Sequence, residues 1–200
     1  MKGAATAFLS ALLLNGCVSV SVPEVTWYRL PDPVLPALAP VRFTRPVDVA
    51  VFSADGIYSE QALIYALGKD GQALRTYHYR QWSDPPTRML QRRLIRVLRD
   101  GEAAPQVSDR LPASANALRI SALIQRFERV EDAGVWYVDV ALQLRVEHAG
   151  VLLAEETYSS RIAAADAEIP ATIAAYGQAL DQIYAAFIAR LADLSSQVRA

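Results

Sequence analysis

The sequence holds one cysteine, Cys17, in 200 residues. A lone thiol closes no intramolecular disulfide and supplies too few sulfurs for a structural zinc or iron–sulfur centre. Lysine is scarce, with two residues against eighteen arginines, and the 20 basic residues are matched by 21 acidic ones. That balance lacks the basic excess of a nucleic-acid binder. No apolar run reaches the ~20 residues that a spanning helix needs. The Gly-x-x-x-x-Gly-Lys-Ser/Thr loop, the Gly-x-Ser-x-Gly elbow and His-Glu-x-x-His are all missing, which excludes P-loop nucleotide binding and the commonest hydrolase signatures. The two histidines are poorly placed: His78 sits inside an expected strand and His148 in an expected turn. Glu155 and Glu156 are neighbours in a strand, so they point to opposite faces and cannot act as a carboxylate pair. No enzyme, cofactor or metal site is expected from these residues.

What is present begins at the N-terminus. Lys2 is followed by an apolar run over residues 3–14 and then by Leu14-Asn15-Gly16-Cys17. A short basic start and an apolar core of about a dozen residues suit a signal peptide better than a membrane span. The last four residues resemble the lipobox of bacterial lipoproteins. The resemblance implies cleavage before Cys17, lipidation of its thiol and acylation of the new amine. Asn15 departs from the small or aliphatic residue usual at its place. Val18, where aspartate commonly signals inner-membrane retention, implies the outer membrane. The alternative is a free cysteine in an uncleaved anchor.

Cleavage at that point leaves 184 residues, 17–200, enough for one domain and a tether. Residues 17–46 read as the lipidated cysteine and a proline-rich tether, with six of the eleven prolines between 23 and 46. Trp27, Tyr28 and Leu30 interrupt it with apolar bulk. A single domain is expected over 47–200. "VDVAVFS" (47–53) reads as a strand ending at the turn signal Asp55-Gly56. "QALIYALG" (61–68) and "ALRTYHYR" (73–80) flank Lys69-Asp70-Gly71 as a hairpin. Runs 117–127, 135–146 and 151–161, joined by short glycine-containing links, predict an antiparallel meander.

Residues 83–101 predict a helix capped by Ser83 or Asp84 and stopped by Gly101. Leu90, Leu94, Val97 and Leu98 fall on one side. Arg88, Arg92, Arg96 and Arg99 fall on the other, with Arg93 at the border. That stripe is either a solvated face or an electrostatic surface for an acidic partner or lipid headgroups. A second helix is expected from between Asp166 and Thr172 to about Leu194. Its stripe of Ile173, Leu180, Phe187 and Leu194, widened by Tyr176, Ile183, Tyr184 and Leu191, either packs on the sheet or meets another subunit. Trp82, on the connection stiffened by Pro85 and Pro86, is either a partner anchor or the edge of the core. The expected fold is α+β: a mostly antiparallel sheet with both amphipathic helices on one face.

Several stretches in order carry a family resemblance. They are the lipobox, "WYRLPDP" (27–33), "VDVAVFSADGIYSEQALIYAL" (47–67), "YHYRQWSDPPTRMLQRRLIRVL" (77–98), the meander and the terminal helix. Together they resemble the ABC-type transport auxiliary lipoproteins, the paraquat-inducible protein C-like family. The resemblance implies a periplasm-facing lipoprotein that docks a mammalian-cell-entry-type transport system at the outer membrane. Such systems are associated with lipid and other hydrophobic cargo. Its partners would be the membrane, through the lipid anchor, and a mammalian-cell-entry-type periplasmic protein, with a homo-oligomer left open. The rival readings are a stand-alone structural or outer-membrane assembly lipoprotein and a cell-envelope hydrolase.

Overall fold

The computed structural model describes residues 23–34, 41–67, 71–112 and 116–197. Cys17, the 1–16 leader, and Lys69 and Asp70 of the expected hairpin turn lie outside the described residues. The strands are β1 (Thr26–Tyr28), β2 (Val47–Val49), β3 (Ser53–Ala54), β4 (Ala62–Leu67), β5 (Leu74–Trp82), β6 (Val107–Ser108), β7 (Leu118–Asp132), β8 (Val135–His148) and β9 (Val151–Ala163). The helices are α1 (Pro86–Asp100) and α2 (Ile169–Gln197), with a 3-10 turn at Gly56–Ser59.

The meander forms as the sequence predicts, β7 antiparallel to β8 and β8 to β9. Its two links are two-residue turns, Ala133-Gly134 and Ala149-Gly150, with positive φ at all four residues. That is the backbone twist a tight hairpin needs, and glycine supplies half of it without steric cost. β4 and β5 pair antiparallel, with a register shift between Ala62 and Ile64.

The sheet as a whole is mixed, and this corrects the expectation of a mostly antiparallel one. β2, β3 and β4 all run parallel to β7 along its other edge, opposite Val47↔Leu118, Ser53↔Leu123 and Tyr65↔Arg129. Residues 47–67 are therefore one interrupted strand beside β7. The Asp55-Gly56 signal opens the 3-10 turn, after which the chain resumes its course instead of reversing. β6 pairs parallel with β2, and β1 parallel with β5. Alternation within each run reports burial but not strand direction, so the parallel joints left no local trace.

One apolar cluster unites the sheet with both helices. Val49, Ile120, Ile124, Val140, Leu142 and Leu144 meet Leu90, Leu94, Leu98, Leu180 and Leu191, all at most 1% exposed. The even-numbered residues of β8 from Val138 to Val146 are buried, while Asp139, Gln143 and Arg145 lie on the outer side. There Arg126 pairs with Asp139 at 2.9 Å and Arg145 with Glu147 at 2.6 Å. All eight stripe residues of α2 are buried. Its apolar face is the lid of this core, not a free surface for another helix. Among the described residues, no helix is long and apolar enough to cross a membrane.

α1 differs from expectation at its start. Neither Ser83 nor Asp84 caps it; Pro85 occupies the cap position without a side-chain bond. Pro86 in the first turn has no amide to satisfy, which lowers the need for a cap. Asp84 instead pairs with Arg92 at 2.6 Å. The helix ends at Gly101, as expected, and Glu102 then turns the chain with φ 48°.

Candidate functional site

α1 and α2 touch along their buried faces. Tyr184 of α2 donates to the Leu90 carbonyl of α1 at 2.9 Å, and burial pushes its phenol well above the ordinary range. Further along, Arg93 of α1 is buried, its side chain 4% exposed, and holds Asp181 of α2 at 2.5 Å. The same guanidinium donates to the Pro31 carbonyl. The Asp181 carboxylate also accepts from the Val34 backbone N–H at 3.1 Å. Residues 29–34 are thus clamped where the two helices meet. Arg96 adds an exposed ion pair with Asp32.

Gly177 makes the close approach possible. A Cβ at that position would lie 2.5 Å from Pro31 Cγ, so a side chain on α2 would push the segment away. Ahead of it, β1 pairs with the last residues of β5, Tyr28 opposite Trp82, and Tyr28 and Leu30 pack against the core. β1 is an edge strand, which is where a proline-flanked segment can pair.

Between this segment and α1 lies an open groove of about 560 Å³, lined by Arg29, Pro31, Asp32, Asp84, Arg92 and Arg96 among others. Four arginines and two aspartates line it; Arg92, Arg93 and Arg96 are paired with Asp84, Asp181 and Asp32, so Arg29 leaves it a small positive excess. Arg92 and Arg96 are engaged only by exposed aspartates. Exposed pairs of this kind contribute ~0–1 kcal/mol each, so an incoming carboxylate or phosphate can exchange with them at small cost. Arg88 is also exposed, without an ion pair among the described residues.

Of the residues singled out in the sequence, the structure brings Arg92 and Arg96 to one groove and places Arg88 on the same outer side of α1. Trp82 is not with them. It is 1% exposed and packs against Phe127 and Tyr176 at ring-centroid distances of 5.3 and 5.1 Å. A buried indole cannot anchor a partner, so Trp82 is a core residue. Arg93, set at the stripe's border, is the central connector instead. A signal for it existed: Asp181 is an isolated acid beside the apolar stripe of α2, and a buried acid needs a cation.

A second polar cluster lies on β7. Arg129, 2% exposed, stacks on the Trp136 ring at 3.6 Å and donates to Tyr77 Oη at 3.2 Å and the Ala167 carbonyl at 3.0 Å. Burial lowers its pKa. These contacts tie β7 to the chain leading into α2. On the neighbouring residue, Glu128 accepts from Tyr58 Oη at 2.6 Å. Burial raises the pKa of both groups. His148 bonds Asn116 and Arg45, and Glu155 and Glu156 face opposite sides, toward Arg145 and Arg190. Among the described residues no group of three or more His, Cys, Asp or Glu could hold a metal ion.

The profile of the ABC-type transport auxiliary lipoprotein component family matches residues 28–189. No curated protein matches the chain. Among solved structures, protein XCC0632 from Xanthomonas campestris, of family DUF330, superposes with a TM-score of 0.73 at 22% identity. It covers 87% of this chain and 99% of its own. An uncharacterised protein follows at TM-score 0.66 and 15% identity, over 84% and 98% of the two chains. The hypothetical protein CT253 from Chlamydia trachomatis gives 0.54 at 9%, over 76% and 98%. At these identities the likeness is one of fold.

Proposed function

This chain belongs to the ABC-type transport auxiliary lipoprotein components, and from that membership we propose a lipid-anchored, non-enzymatic subunit that docks a transport assembly at the outer membrane. The family match over residues 28–189 carries the reading. The anchor is Cys17, whose lipobox follows an apolar core too short to span. The chain joins the folded part at β1, well before residue 46, and residues 29–34 are held against it. The transporter is of the mammalian-cell-entry type, moving lipid or another hydrophobic compound, and its periplasmic protein is the partner.

The arginine-lined groove beside α1 is the docking surface for that partner in this reading. Its exposed arginines, Arg92 and Arg96, with Arg88 further along the same side of the helix, are held only weakly by the chain itself. Guanidinium groups so placed offer forked donors to carboxylates.

Two measurements test the proposal. Intact-mass analysis of membrane-extracted protein should show loss of residues 1–16 and added acyl mass, and Cys17→Ala should leave the precursor. An unacylated protein retaining Lys2 overturns the anchor. The triple exchange Arg88→Glu, Arg92→Glu, Arg96→Glu should abolish co-purification with a mammalian-cell-entry protein while the melting temperature stays within a few degrees. Undiminished co-purification overturns the docking surface.

A further inference from the structure

Strand β9 closes one end of the sheet. Its inner edge pairs with β8, and among the described residues no strand takes its outer edge. The strand is 13 residues long. It contains neither proline nor lysine, the residues that commonly blunt such an edge. A bulge interrupts its pairing near Leu153, but from Ala154 to Ala163 the register is regular. That stretch presents a row of unpaired N–H and C=O groups, a template for another strand.

We propose that β9 pairs antiparallel with β9 of a second copy of this chain, about a two-fold axis at Tyr158. The charges select the register. When two identical strands pair about an axis normal to the sheet, residues on one face must meet residues on the same face, so the axis falls on a residue. β9 carries three charges, Glu155, Glu156 and Arg161. Glu156 is turned toward α2, where Arg190 Nε lies 2.8 Å away. Glu155 and Arg161 share the outer face, opposite Arg145 and Asp139 of β8. Only an axis at Tyr158 sets Glu155 of each copy opposite Arg161 of the other. The same register brings Thr157 opposite Ser159 and Ala154 opposite Ile162, two further matched pairs.

The present partners of these charges do not compete strongly. Arg161 reaches Asp132 at 3.3 Å and lies 4.5 Å over the Tyr137 ring, and Glu155 reaches Arg145 at 3.7 Å and accepts from Gln143 at 3.3 Å; both charges sit at half-exposed positions where such contacts are weak. The helix above also leaves room. Gln182 and Arg190 of α2 bond Ser160 and Glu156, so the helix face that includes residue 186 overlies β9. That residue is an exposed alanine, whose methyl group admits a second helix alongside.

The inference stands on the folded part of the chain and is independent of the transporter reading. Sedimentation of the full mature chain in mild detergent should show a dimer. Glu155→Arg or Arg161→Glu alone sets like charges opposite each other twice and should weaken self-association roughly tenfold or more. The combined exchange should restore it. In a Cys17→Ser background, Tyr158→Cys should form a symmetric disulfide dimer on mild oxidation, because directly paired residues lie within disulfide reach. A monomeric wild type, association indifferent to both single exchanges, or no cross-link would each overturn the pairing.

Discussion

At the scale of single residues, Arg93 and Asp181 carry more than any exposed charge on α1. Both are largely shielded from solvent, at 4% and 16% side-chain exposure, and they also bind the 29–34 backbone. Asp181→Ala would leave a buried guanidinium without its counter-charge, a loss of about 3–5 kcal/mol. Denaturant unfolding should register it as a large fall in midpoint, whereas Arg92→Glu at its exposed site should shift the midpoint little. Glu128 makes the opposite kind of statement. Burial raises its pKa, so the folded state binds its proton more tightly than the unfolded state does. Its favourable contribution is complete below the ordinary carboxylate pKa and is lost as pH rises through the raised one. Glu128→Gln keeps an acceptor for Tyr58 and removes the buried charge. Thermal melts should therefore find the variant more stable than wild type at neutral pH, with the gain vanishing on acidification. A gain that grows toward acid pH would refute this.

At the scale of elements, the sequence was most informative where the period is unambiguous. The meander, the hairpin and both helices emerged near their observed bounds, because alternation and the 3.6-residue stripe report burial directly. Two things were hidden. The parallel alignment of residues 47–67 with β7 depends on contacts some 70 positions apart and leaves no local signature. The fate of Trp82 and Arg93 depends on what packs against them: Tyr176 and Phe127 for one, Asp181 for the other. The electropositive side of α1 was legible as a stripe, but the groove was not. Its second wall is the 29–34 segment, which the prolines marked as a tether and not as a docked piece. Gly177 tests that wall. Gly177→Ala gains about 1 kcal/mol of helix propensity, but its Cβ would meet Pro31 at 2.5 Å, and overpacking costs typically ~1–3 kcal/mol. Tryptic cleavage after the exposed Arg29 should accelerate as the segment lifts away. Unchanged cleavage with a higher melting temperature would mean that the segment adapts in place.

At the scale of the whole molecule, the clamp at Pro31 decides how the folded part hangs from whatever holds its N-terminus. Tension applied ahead of residue 23 reaches β1 first. That strand is secured to β5 over only three residue pairs and yields early. The load then falls on Arg93 and Asp181, and β2 lies beyond them along the chain. The molecule is therefore suspended from the junction of its two helices, not from the rim of its sheet. A pull on the N-terminus would spend itself on the clamp first, and β7 and its neighbours would feel it only once the clamp gives way.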